Sequence, residues 1–203
     1  MAKRHPGART RMTRTYTLKK RAQSQAETRR RIVESAVELH SSIGPALTTV
    51  SMIAERAGVQ RHTFYAHFPD DRSLSMACSG LVEERDPLPD AEPWRRIDDR
   101  GERLRTGLAA IYAWYQRNAS LLACVLRDAE HHALTREISE LRFGPFIAAY
   151  HEVLGANLSA KQRAMLHLAL SYHTWRALVP EAGLETGTAV KAMAQTIACA
   201  KEA

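Results

Sequence analysis

From residue 28 onward the chain is patterned by apolar residues at helical spacing. Over residues 28–42, Ile32, Ala36 and Leu39 share one face, flanked by Val33 and Val37, and Gly44-Pro45 ends the run. Two short segments follow, 49–57 stopping at Gly58 and 61–67 stopping at Phe68-Pro69. A fourth, 71–84, opens on acids that suit a helix N-terminus. Residues 86–93 hold Pro87, Pro89 and Pro93 and cannot continue a helix, so they read as a connector. Beyond it, 98–118 carries Leu104, Leu108, Ile111 and Tyr115 at helical spacing, and 120–129 carries Leu121, Leu122, Val125 and Leu126. Further helices are expected over 134–155, interrupted near Gly144-Pro145, over 159–179 and over 186–200. No stretch alternates apolar and polar residues for long enough to suggest a strand. The expected fold is all-α. A three-helix unit with helix-turn-helix spacing over 27–80 precedes a second helical domain over 81–203. Residues 1–26, with few large apolar groups, read as a disordered arm.

Charge sharpens this division. Residues 1–31 contain eleven Lys/Arg against one acid, Glu27; with a net +7 for all 203 residues, the rest carries −3. A basic front end on a slightly acidic body points to a polyanionic partner. No apolar run reaches the roughly 18 residues a membrane helix needs, and no apolar stretch follows the N-terminal charges. A cytoplasmic protein without membrane association is expected. Cys78, Cys124 and Cys199 form neither a metal pattern nor a disulfide framework. His131-His132 is a poor chelate, because adjacent helical side chains diverge by about 100°. No metal, cofactor or catalytic residue is therefore assigned. No phosphate loop, HExxH or GxSxG pattern and no nucleophile–base pairing supports an enzyme.

The informative stretch runs from Thr48 to Tyr65. Thr48 or Thr49 can cap a helix and meet a phosphate there. Val50 and Ile53 face the core, and Ala54 lets a second helix cross closely. Gly58 takes a left-handed turn without steric cost, and Val59 packs that turn inward. The next helix then presents Gln60, Arg61, His62 and Thr63 from its first turn, where a recognition helix meets the major groove. Gln and Arg can read adenine and guanine edges bidentately.

These landmarks resemble the TetR family of bacterial regulators. The matching residues are Arg31-Ile32, Ala36, Leu39, Gly44, Thr48-Thr49-Val50, Ile53-Ala54, Ala57-Gly58-Val59, Thr63-Phe64-Tyr65 and His67-Phe68, in order and in register over about fifty residues. The resemblance implies that Gln60, Arg61, His62 and Thr63 face bases or nearby backbone. It also implies phosphate contacts from Thr49, Tyr65 and His67. Four positions depart from the family. Gln60 stands where a capping Ser is frequent, His62 where a small residue or Pro is frequent, His40 where a core Phe is frequent, and Asp71 where a phosphate-binding Lys is usual. Arg72 is the neighbouring candidate to replace that Lys.

The resemblance further implies an effector-binding, dimer-forming C-terminal half. Candidate pocket residues are Tyr112, Tyr115, Leu122, Val125, Phe143, Phe146, Tyr150, Met165 and His173, which together favour a hydrophobic or aromatic effector. Candidate dimer-interface residues, on the last two helices, are Leu168, Ser171, Trp175, Leu178, Val190, Met193, Ala194 and Ile197. The expected partners are a near-palindromic double-stranded DNA operator, a second copy of the chain and an unidentified small molecule. The expected function is a repressor released by that molecule. The alternative is a DNA-bound protein-interaction factor without an inducer. Activation and repression differ by operator position, which this sequence does not contain.

Overall fold

The computed structural model describes the backbone of residues 8–200 and the side chains of residues 19–200. It is helical throughout, with no strand among the described residues. The first helix, α1 (Ala8–Ser42), is longer than its apolar pattern suggested. Residues 8–26, expected as a disordered arm, continue its backbone, because no Gly or Pro interrupts a run in which Arg, Lys, Gln and Ala make up more than half of the residues. Residues 1–7 of that expected arm lie outside the described residues.

A 3-10 turn (Pro45–Leu47) leads into α2 (Val50–Ala57), α3 (Arg61–His67) and α4 (Asp71–Arg85). These close on α1 around Ile32, Val33, Ala36, Leu39, Ile53, Ala57, Phe64, Phe68, Leu74 and Cys78. The remaining helices are α5 (Arg100–Arg117), α6 (Ala119–Ala129), α7 (Ala133–Leu154), α8 (Ala160–Leu170), α9 (Tyr172–Arg176) and α10 (Thr186–Cys199). They share a second core built on Leu104, Leu108, Ile111, Tyr112, Tyr150, Leu154, Leu166 and Ile197.

Two expected boundaries move. The helix over Ala133–Leu154 is unbroken and contains Pro145. Proline crowds the residue before it, but that residue is Gly144, whose absent side chain relieves the clash, and both are exposed or half-exposed to solvent. The segment expected as one helix over 159–179 is instead divided at Ser171, whose backbone is extended (φ −71°, ψ 131°). The break removes helical partners from two carbonyls, and α5 replaces them. Tyr112 Oη donates to Ala169 O (2.9 Å) and Tyr115 Oη to Leu170 O (2.6 Å). A π-type turn (Ala177–Glu181) then carries the chain toward α10.

The proline-rich connector is fastened to the C-terminal core. Trp114 Nε1 donates to Asp86 O (2.9 Å), and the Asp86 carboxylate accepts from Arg117 and Asn118. Tyr150 Oη donates to Pro89 O (2.7 Å), and Trp94 is buried against Tyr150 with ring centroids 5.4 Å apart.

Candidate nucleic-acid interface and effector cavity

The helix-turn-helix is built by local hydrogen bonding. Thr49 caps α2, its Oγ1 accepting from Met52 N (3.3 Å). Thr48 does not; its hydroxyl donates to Gly44 O (2.7 Å) and closes the 3-10 turn. Gly58 adopts the left-handed conformation (φ 64°, ψ 39°), and Val59 N returns to Ala54 O (2.9 Å). The third helix starts at Gln60 without a side-chain cap, which follows from the missing Ser.

Gln60, Arg61 and His62 are exposed at the start of α3, with Thr63 half-buried beside them and bonded to the His62 ring (3.3 Å). Tyr65 and Thr49 are also exposed, and His67 is half-buried. Arg72 is engaged elsewhere, in an ion pair with Glu137 of α7. One contact that sequence reasoning missed holds α3 in place. Arg29 donates to His67 O (2.9 Å) and lays its guanidinium 4.1 Å from the centroid of the Phe68 ring. Its charge marked it as part of a basic run; its packing role needed the fold.

The electrostatics of this unit are uneven. Residues 27–80 carry six Arg and six Asp/Glu and are formally neutral, whereas residues 1–26 carry eight Lys/Arg and no acid. The excess positive charge of residues 1–80 therefore lies before residue 27.

Two apolar cavities border Trp114 and Phe143. The larger, about 290 Å³, is lined by Ile111, Trp114 and Tyr115 of α5, Leu122 and Leu126 of α6, Phe143, Ile147, Tyr150 and His151 of α7, and His167, Ser171, Tyr172 and His173 around the break between α8 and α9. Of the expected pocket residues, it gathers Tyr115, Leu122, Phe143, Tyr150 and His173. Tyr112 is instead fully buried, its hydroxyl spent on Ala169, while Phe146 and Met165 pack against the core outside the cavity wall. Val125 faces a smaller cavity of about 90 Å³ between α1, α4, α6 and α7. Leu88, Trp114 and Phe143 line both cavities and form the partition between them.

The last two helices depart from expectation. Trp175, Val190, Met193, Ala194 and Ile197 are buried within this single chain, at 7% exposure or less, against α5 and its neighbours. Their stripe faces inward because α5 needs a covering helix. They therefore cannot supply much further area to a dimer. Ser171 and Leu178 are half-buried, and only Leu168 is openly exposed (49%).

The DNA-reading unit and the cavity region meet at α6. The Asp128 carboxylate, 1% exposed, accepts from Ala46 N (2.8 Å) and pairs with Arg127 (2.7 Å), which itself donates to Ile43 O (2.7 Å). The buried His40 imidazole is depressed to about 4 by desolvation, partly offset by the charge of Asp128. A second junction is Arg142 of α7, which donates to Ser79 Oγ (3.0 Å), Glu83 (2.8 Å) and Met76 O (3.3 Å) of α4.

Comparison with known proteins agrees with this geometry. Residues 32–74 match the family model "Bacterial regulatory proteins, tetR family". The helix-turn-helix is of the TetR type. No curated protein matches the chain. Solved structures share the fold over most of their length. A transcriptional regulator from Rhodococcus sp. RHA1 has a TM-score of 0.61 at 17% identity, covering 83% of this chain and 95% of its own. FadR from Bacillus subtilis, in complex with stearoyl-CoA, has 0.59 at 15%, covering 85% and 98%. A regulator of the TerR/AcrR family from Aquifex aeolicus has 0.56 at 18%, covering 84% and 98%. The N-terminal TetR-type unit and C-terminal helical domain are thus a shared architecture. No described helix is long and apolar enough to cross a membrane, and no group of three or more His, Cys, Asp or Glu among the described residues is arranged to hold a metal ion.

Proposed function

We propose that this chain is a cytoplasmic, homodimeric transcriptional repressor released from a near-palindromic operator by a small apolar effector. The observation that carries the reading is the position of α6. One of its faces, Leu122 and Leu126, lines the larger cavity, and its end, Asp128, grips the turn that precedes α2. An effector preferring a shifted α6 would therefore favour a different placement of the DNA-reading helices. FadR, which shares this fold, is in complex with stearoyl-CoA, and this supports a small-molecule effector.

In this reading Gln60, Arg61, His62 and Thr63 meet bases, and Thr49, Tyr65 and His67 meet phosphates. Thr48 stabilises the turn, and Arg72 is left to brace α4 against α7. The DNA-binding domain spans residues 27–80 and the effector domain 81–203. The dimer surface is the outer side of α8 and α10, with Ala164 and Leu168 on one helix and Ala192 and Thr196 on the other, all exposed.

The alternative of a DNA-bound interaction factor without an inducer would be better served by a filled C-terminal core. The apolar cavity favours the effector. The test is to sequence DNA fragments selected by the purified full-length protein. Enrichment of a two-fold-symmetric site, bound less tightly as salt rises, is the expected result. Absence of salt-sensitive binding to any selected sequence overturns the proposal.

A further inference from the structure

The larger cavity has an apolar interior and a polar edge of one kind. His151 of α7 and His167 of α8 stack at that edge, with ring centroids 5.4 Å apart and planes at 20°. The Nδ1 of His167 lies 3.4 Å from Nε2 of His151. His173 of α9 lines the same cavity. His167 is exposed and His151 half-buried, so the pair spans the passage from solvent to the apolar wall.

Almost every other polar group around the cavity already has a partner. The hydroxyls of Tyr115, Tyr150 and Tyr172 donate to Leu170 O, Pro89 O and Ala119 O. The Trp114 indole N–H donates to Asp86 O, and Ser171 Oγ accepts from His173 N. No Lys, Arg, Asp or Glu lines the wall. A ligand's polar end therefore meets the imidazoles and the Ser171 hydroxyl, and of these only the imidazoles can carry a positive charge.

Resting on the effector reading above, we propose that the effector is an apolar monocarboxylic acid whose carboxylate is held by His151 and His167 while its tail fills the cavity. The neutral pair, bonded ring to ring, has one N–H left for a carboxylate oxygen; a further proton supplies an N–H for the other oxygen and makes the bonds charge-assisted. An alcohol or ester of the same tail gains neutral hydrogen bonds only. A multiply charged phosphate group would need the guanidinium or ammonium groups that the wall lacks. Burial and the neighbouring His167 hold His151 below the ordinary imidazole range. A second proton on the pair thus requires a counter-charge, which a carboxylate supplies.

The experiment measures binding of decanoate and 4-phenylbutyrate, each beside its matching alcohol and methyl ester, to the full-length protein by calorimetry at one pH. At least a tenfold preference for an acid over its alcohol and ester is expected. In His151→Gln/His167→Gln the preference should fall to near unity, through a loss of acid affinity much larger than any change for the alcohol. The exposed His167→Gln alone should lose part of it, which guards against misfolding of the double variant. Equal binding of acid and alcohol by the wild type overturns the proposal and leaves an apolar effector intact, as does an acid preference that survives in the variants. Failure of all six compounds to bind overturns the carboxylic-acid assignment together with the effector reading beneath it.

Discussion

The carboxylate of Asp128, at the end of α6, accepts a 2.8 Å hydrogen bond from the backbone N–H of Ala46, 82 positions earlier in the chain. A residue of the C-terminal half thereby caps a turn of the helix-turn-helix half. Removing it leaves the Ala46 N–H without its acceptor and Arg127 bonded to Ile43 O but without its carboxylate. Asp128→Ala should lower unfolding stability by about 2–3 kcal/mol, read from urea denaturation. Asp128→Asn, which keeps an acceptor for Ala46 but not the charge, should lose less.

Gly44 and Gly58 both have positive φ, yet only one sits under load. A side chain at Gly44 (φ 98°) would collide with Asp128 and Arg127, whereas nothing lies within 4 Å of one at Gly58 (φ 64°). Gly58→Ala should cost about 1–2 kcal/mol, the conformational penalty alone. Gly44→Ala should cost clearly more and weaken operator binding, because it forces the α6 clasp apart. Equal melting temperatures for the two variants would contradict this.

His40 makes stability depend on pH. Its folded value, about 4, lies below the ordinary 6.5, so the unfolded chain binds the extra proton. Stability should be full above pH 6.5 and fall as pH drops from 6.5 toward 4. Between about pH 7 and about pH 5 the loss from this one residue is roughly 2 kcal/mol. His40→Leu should flatten that part of the curve relative to wild type.

Specific and general DNA affinity should separate by region. Arg61→Ala should reduce operator binding about 10- to 100-fold and relax one base position, with little change in salt dependence. Deleting residues 1–18, which removes Lys3, Arg4, Arg9, Arg11 and Arg14, should weaken binding to every sequence. It should also make the dependence of log affinity on log salt shallower by about 0.9 for each phosphate that the shortened protein leaves unneutralised. Both effects are readable by fluorescence anisotropy on operator and scrambled duplexes.

What the sequence disclosed followed the range of the forces involved. Thr49, Gly58 and the uncapped Gln60 act over a few residues, so their roles were legible in order and spacing. Ile32, Ala36 and Leu39 repeat at helical spacing, and their core was legible too. The stripe on α10 was legible as a stripe, but its partner was not: an apolar face reads the same whether α5 or another copy covers it. The break at Ser171 is stabilised by Tyr112 and Tyr115 from 55 or more positions away, and Asp128 acts across a longer gap still. Nothing in the local sequence distinguishes such a tyrosine from a cavity wall. Pro145 misled for a related reason, since its tolerance depends on Gly144 before it and solvent around it.

The connector at 86–89 is anchored by Trp114, Arg117, Asn118 and Tyr150. The DNA-reading unit is therefore mounted on the C-terminal core like the jaw of a calliper. Two such jaws joined through the C-terminal halves would have a gap fixed by the protein rather than by the DNA. An operator lengthened by a single base pair between its half-sites would be out of gauge in both distance and rotation.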